Sequence, residues 1–95
     1  MYIIKECPIE KNGQIGFRTC SNGETQVLMC DECGAVWLHP EKLEVENAIY
    51  PIAPLFIIVD KVSVAGACAR WATLNDIEKR GWAQYITRTL QALDE

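Results

Sequence analysis

One stretch limits what this chain can fold into more than any other: Cys30-Asp31-Glu32-Cys33-Gly34. Two cysteines at this spacing bring two thiolates to one ion, and the following glycine permits the backbone turn that aims amide groups at sulfur. A chain of 95 residues has a limited core, so a metal staple at one end would add to its stability. The five cysteines are an odd number, which does not suit a secreted disulfide framework. The N-terminus, MYIIKECPIE, has no basic region leading into a long apolar stretch. We therefore expect no signal peptide, a cytoplasmic location and reduced thiols, which favour metal ligation or plain burial over disulfides.

Hydrophobic residues make up 49% of the chain and charged residues 23%, as in one globular domain. The longest apolar candidate for a membrane span, Ile52 to Val59, is short and broken by Pro54, so no membrane association is expected. Charge is unevenly spread. Glu24, Asp31, Glu32, Glu41, Glu44 and Glu46 face one base, Lys42, whereas Lys61, Arg70, Lys79, Arg80 and Arg88 outnumber Asp76 and Glu78. An acidic segment repels nucleic acid and suits a basic partner, although a solvated face is the commoner origin of such a cluster. With a pI near 4.9, nucleic acid is not the expected partner.

The pattern predicts strands at Tyr2 to Lys5 (a short edge strand), Ile15 to Cys20 and Thr25 to Cys30, with a third short strand of the ribbon at Val36-Trp37-Leu38. Asn22-Gly23 between the two central strands signals a type I′ hairpin. His39-Pro40-Glu41-Lys42-Leu43 reads as a turn or a single helical turn. Residues 46–54 read as linker, and Leu55 to Asp60 (LFIIVD) as a buried strand. Thr73 and Asp76 form a capping box for a helix that carries Leu74 and Ile77 inward and stops at Gly81. A second helix is predicted from Trp82 to Leu93, on apolar residues at 82, 85, 86, 90 and 93. The expected fold is a single α+β domain over 1–95: a zinc-ribbon-like antiparallel hairpin or sheet (1–45), a linker and buried strand (46–70), and helices (71–95) packed with the sheet.

Hairpin geometry sorts the cysteines. Centring the turn on Asn22-Gly23 places Cys20 opposite Thr25 near the tip and Cys30 opposite Ile15 near the base. About five residues of strand, roughly 17 Å, separate these levels. Zinc–thiolate bonds are about 2.3 Å long, so Cys20 and Cys30 cannot share an ion. Cys7 precedes the hairpin and can return to its base. The candidate metal set is Cys7, Cys30 and Cys33, with zinc as the candidate ion and the fourth ligand missing from the obvious place. Glu10 stands three residues after Cys7, where a complete ribbon carries its second cysteine. A relic ribbon with reduced, partly buried thiols stays open as the alternative.

A redox reading of Cys30 and Cys33 is weaker, because such a pair usually opens a helix and a β-rich Val36-Trp37 follows here instead. Cys68 reads as a small buried hydrophobe. The one histidine, His39, is a further candidate for the fourth ligand, but it lies in a turn before Pro40 and reads as a surface residue. No catalytic triad, dinucleotide loop or phosphate loop is visible, so no enzyme activity is expected. Trp82 belongs to the helical stripe and is assigned to the core. Trp37 and Trp71 are open between core and interface anchor.

Cys7-Pro8, VLMCDECGAVWLHPEKL at 27–43 and WATLNDIEKRGWAQYI at 71–86 together cover about half the chain. They resemble a group of small bacterial proteins with an N-terminal zinc-ribbon-like motif. Some of that group are immunity proteins of toxin–immunity systems, including contact-dependent growth inhibition. Glu10 departs from the ribbon pattern and puts the metal in doubt. The resemblance implies a non-enzymatic protein that binds and neutralises one cognate toxin. On that reading the partner is a basic toxin such as a nuclease, met by Asp31, Glu32, Glu41, Glu44, Glu46 and Trp37. The alternative is a small zinc-ribbon module serving nucleic acid or a multiprotein assembly.

Overall fold

Period-two alternation organises the central strands. In β2 (Gln14–Thr19) Ile15, Phe17 and Thr19 are buried, and in β3 (Gln26–Cys30) Val27, Leu28 and Cys30 are buried. Apolar residues on both faces of a strand call for cover on both sides of the sheet. The computed structural model, which describes residues 1–59 and 61–89, has that arrangement. Ile15, Phe17, Leu28, Cys30 and Trp37 form one core with Ile77 and Trp82. Val27 and Val36 form another with Cys20 and Val64, against partly buried Met29, Ile58 and Val62.

The main sheet is antiparallel. It runs β4 (Val36–Trp37), β3, β2, β1 (Tyr2–Glu6) and β8 (Arg88–Thr89), with β7 (Arg70–Trp71) pairing with β2 beyond the end of β1. The remaining strands, β5 (Ile57–Val59) and β6 (Val62–Ser63), make a small separate hairpin. Among the described residues one α-helix, α1 (Leu74–Arg80), lies near β3, and short 3-10 turns span Val45–Asn47 and Ala83–Tyr85. Among the described residues no helix is long and apolar enough to cross a membrane.

The predicted register holds: Ile15 pairs with Cys30, and the Cys20 N–H donates to the Thr25 carbonyl at 2.9 Å. The turn itself differs from the expected type I′. Positive φ occurs at Gly23 and not at Asn22, and the loop runs from Ser21 to Glu24. The Gly23 N–H bonds the Cys20 carbonyl, while Asn22 Oδ1 accepts from the amides of Glu24 and Thr25. The loop keeps the expected span, Ser21 to Glu24, and the expected centre, so the register is unchanged although the turn type differs.

α1 forms as its ends require. Thr73 Oγ1 accepts from the Asp76 N–H and the Asp76 carboxylate accepts from the Thr73 N–H. At the other end Gly81 adopts φ 80°, and the Gly81 and Trp82 amides return to the Glu78 and Ile77 carbonyls. Asp76 also accepts from Thr19 of β2 and pairs with Arg70 of β7 at 3.0 Å, so the cap residue ties helix to sheet.

Several expectations are corrected. Only one of the expected C-terminal helices is present in the described residues. In place of a helix from Trp82, a 3-10 turn leads into β8, and positions 90–93 lie outside the described residues. The open edge of β1 decides this: the Thr87 N–H and hydroxyl bond the Ile3 carbonyl, and β8 pairs with Tyr2 and Ile3. Ile86, Thr87 and Thr89 are β-branched and concede little by leaving a helix. β1 is therefore an interior strand and not an edge. Of the expected buried strand LFIIVD, Leu55 is 64% and Ile57 44% exposed, Ile58 is partly buried, and Asp60 lies outside the described residues. Leu74 is 41% exposed, so Ile77 alone of the expected pair points inward. The linker contributes Ile49, which bridges to Val36, and Cys68 is exposed.

Candidate metal centre

Cys7 and Cys30 each follow or end a strand, β1 and β3, and each opens the same kind of turn. The Cys7 sulfur accepts from the backbone N–H groups of Ile9 and Glu10, both at 3.4 Å. The Cys30 sulfur accepts from those of Glu32 and Cys33, both at 3.4 Å. Donors aimed at sulfur favour the thiolate, which is the metal-binding form. Gly34, at φ 76°, completes the second turn where a side chain would be strained. Across the base of the hairpin the Gln14 N–H donates to Asp31 Oδ1 at 2.8 Å and the Asp31 N–H to the Gln14 carbonyl at 3.1 Å.

These turns bring the sulfurs of Cys7, Cys30 and Cys33 within 4.8 Å of one another. Cys7 Sγ and Cys33 Sγ are 3.8 Å apart. Tetrahedral coordination with bonds of about 2.3 Å places thiolates about 3.8 Å apart, so the spacing fits zinc. Cys7 and Cys30 are buried and Cys33 reaches the surface. Burial works against ionising Cys7, but the Glu10 and Ile9 amides and the neighbouring thiols outweigh it and hold that thiol below its ordinary value. Burial pushes the Cys30 thiol up to about 12, against the Cys33 and Glu32 amides. A bound dication would offset the cost of burial and favour the thiolate form of the cluster. Three close cysteines can coordinate a metal here.

The loop from Cys7 to Gly13 is closed by bonds from the Cys7 N–H to the Gly13 carbonyl and from the Gly13 N–H to the Glu10 carbonyl. Gly13 is a site residue that sequence reading missed. A Cβ there would stand 2.5 Å from Cys30 Sγ. Its only signal was a glycine in a polar loop, which turn chemistry explains equally well. The other cysteines lie apart, as expected for Cys20, which sits in the second core with its thiol raised by burial to about 11, against Arg18.

The acidic residues expected to meet a partner, Asp31, Glu32, Glu41, Glu44 and Glu46, are exposed. Trp37, expected beside them, is fully buried and donates Nε1–H to the Glu44 carbonyl at 2.9 Å. Its large apolar ring fills the core and offers no surface to a partner. Trp82 is buried as expected. His39 is not a ligand. Its Nδ1 accepts from the Glu41 N–H, and its ring meets Trp82 edge-on at 6.1 Å. It lines a cavity of about 550 Å³ with Leu38, Glu41, Lys42, Asn47 and Ile49, none of which belongs to the cysteine cluster.

Fold and site together define a small, mainly antiparallel β protein, with one helix among the described residues and a three-cysteine centre able to take a metal. No protein-family model matches the chain. No solved structure matches it. It is similar to the uncharacterized protein L48 of Acanthamoeba polyphaga mimivirus, 29% identical over 91 residues, covering 84% of this chain and 72% of that protein.

Proposed function

We propose that this protein is a non-catalytic binding module whose sheet end is ordered by one zinc ion. The observation that carries the reading is the pair of matching turns, in which four backbone amides point at two sulfurs and a third sulfur completes a zinc-sized triangle. Zinc closes the β1–β2 loop onto the β3–β4 turn and fixes the surface around them. The test is to load the full chain with zinc, remove the zinc with a chelator, and follow amide hydrogen exchange. The expected result is one zinc per chain and faster exchange at residues 7–13 and 30–35 after removal. Exchange that is indifferent to zinc would remove the reading.

A second reading assigns the partner of the same module. The exposure of Asp31, Glu32, Glu41, Glu44 and Glu46 favours a basic protein, and an immunity protein covering a basic toxin such as a nuclease has that chemistry. Electrostatic matching of this kind acts mainly on the association rate and weakens with salt. Reversing Asp31, Glu32, Glu41 and Glu44 to lysine is expected to slow association with a cognate toxin at least about tenfold at low salt. An unchanged rate would exclude the acidic surface as the binding face.

A further inference from the structure

We propose that Glu10 supplies the fourth donor to the metal, giving a site of Cys7, Glu10, Cys30 and Cys33. The inference rests on the zinc reading above and adds an oxygen ligand to it. It comes from the internal equivalence of the two turns. In the second turn, the residue three after the leading cysteine is Cys33, whose amide donates to Cys30 Sγ at 3.4 Å. Its own sulfur stands 3.8 Å from Cys7. In the first turn, the residue three after the leading cysteine is Glu10, whose amide donates to Cys7 Sγ at the same 3.4 Å. The backbone amides of positions 33 and 10 therefore meet the leading sulfur in the same way, and the chain carries a carboxylate at the position where the other turn carries a thiolate.

The space beside the sulfurs is kept by Gly13. Its Cα lacks the carbon that would stand 2.5 Å from Cys30 Sγ and 3.3 Å from the Glu10 carbonyl oxygen. Bare backbone at this point lets Cys30 Sγ pack against the Cys7–Gly13 loop that carries residue 10.

Other donors nearby are occupied or face elsewhere. Asp31 Oδ1 accepts from the Gln14 N–H. Glu32 follows Cys30 by two residues, the position held by Ile9 in the first turn, and equivalent turns send such side chains outward. His39 Nδ1 is bound to the Glu41 amide. The Glu10 side chain is exposed and makes no hydrogen bond or ion pair among the described residues. In the structure its carboxylate lies outside the sulfur triangle, so ligation requires the side chain to rotate inward. Carboxylate oxygen binds zinc at about 2.0–2.2 Å. Bound there it sits at the solvent side of the site, next to exposed Cys33, and gives a more exchangeable centre than four thiolates would.

The experiment compares the full chain with Glu10→Gln and Glu10→Cys. Zinc affinity is read by competition with a chromophoric chelator, and cobalt(II) replaces zinc for absorption spectra. Glu10→Gln is expected to keep the fold and to weaken zinc at least about tenfold, since even residues outside the first coordination shell cost that much when removed. It should also shift the cobalt d–d bands. Glu10→Cys is expected to tighten zinc and to raise the thiolate-to-cobalt charge-transfer absorption by about one third, as a fourth sulfur joins three. Wild-type affinity and an unchanged cobalt spectrum in Glu10→Gln would overturn the assignment of Glu10 while leaving zinc binding intact. No zinc bound by the wild type would overturn the zinc reading itself, and Glu10 with it.

Discussion

Replacing Gly13 with alanine should damage the metal centre far more than the fold. The added Cβ would stand 2.5 Å from Cys30 Sγ, 3.2 Å from Cys7 Cβ and 3.3 Å from the Glu10 carbonyl oxygen. Atoms of these kinds rest at roughly 3.5–4.0 Å, so something must move by about 1 Å. The Gly13 backbone cannot easily yield, because its N–H and carbonyl close the loop onto Glu10 and Cys7. The cheapest relief is rotation of the Cys30 side chain, which carries its sulfur away from Cys7 and Cys33. For the fold this is ordinary overpacking, about 1–3 kcal/mol. In a domain of this size each kcal/mol lowers the melting temperature by about 4–8 °C. For the metal it removes a direct ligand, and a loss of at least about 100-fold in zinc affinity is expected, the upper end of what outer-shell changes cost. Differential scanning calorimetry with zinc and with chelator separates the two effects. Free zinc at a hundred times Kd stabilises the wild type by about 2.7 kcal/mol, whereas a variant about 100-fold weaker gains only about 0.4 kcal/mol from the same zinc. A Gly13→Ala protein with wild-type zinc affinity would refute this reasoning.

Three further outcomes are expected. Trp37→Phe should cost about 1–3 kcal/mol in urea unfolding, because it empties part of the core and orphans the Glu44 carbonyl; an unchanged midpoint would return Trp37 to the surface. Burial alone would raise the Asp76 carboxyl, but the Thr73 amide, the Thr19 and Thr73 hydroxyls and Arg70 together hold it below the ordinary range. Its contribution is therefore complete above about pH 4 and lost as pH falls through the lower folded value. Asp76→Asn should destabilise by about 1 kcal/mol or more at pH 7 and much less at pH 2, and a gap independent of pH would contradict the cap. In the zinc-loaded protein, alkylation should modify exposed Cys68 quickly and spare Cys20, whose thiol burial raises to about 11; chelation should then expose Cys33. Prompt labelling of Cys20 would contradict its place in the core.

The metal centre was legible because its logic is local and arithmetical. Once the hairpin was centred on residues 22 and 23, the pairing of Ile15 with Cys30 followed, and Cys7 was the cysteine able to reach that level. The loop type was wrong, yet the register survived because both solutions share one centre. α1 was legible for a similar reason: Thr73, Asp76 and Gly81 satisfy the helix ends with groups close by in the chain. What failed depended on distant partners. An apolar stripe from Trp82 onward says nothing of an open edge on β1 some eighty residues earlier, and that edge made residues 88 and 89 a strand. LFIIVD reads as a buried strand by hydropathy alone, yet Leu55 and Ile57 stay exposed and no strand of the main sheet pairs with β5 among the described residues. Gly13 was invisible because its constraint is a sulfur from another turn.

The most direct test of the account is native mass spectrometry of the zinc-loaded full chain beside Cys30→Ser and Cys20→Ser. The account predicts one zinc on the wild type and on Cys20→Ser, and none on Cys30→Ser under the same chelator. Zinc retained by Cys30→Ser, or absent from the wild type, would contradict a metal centre at Cys7, Cys30 and Cys33.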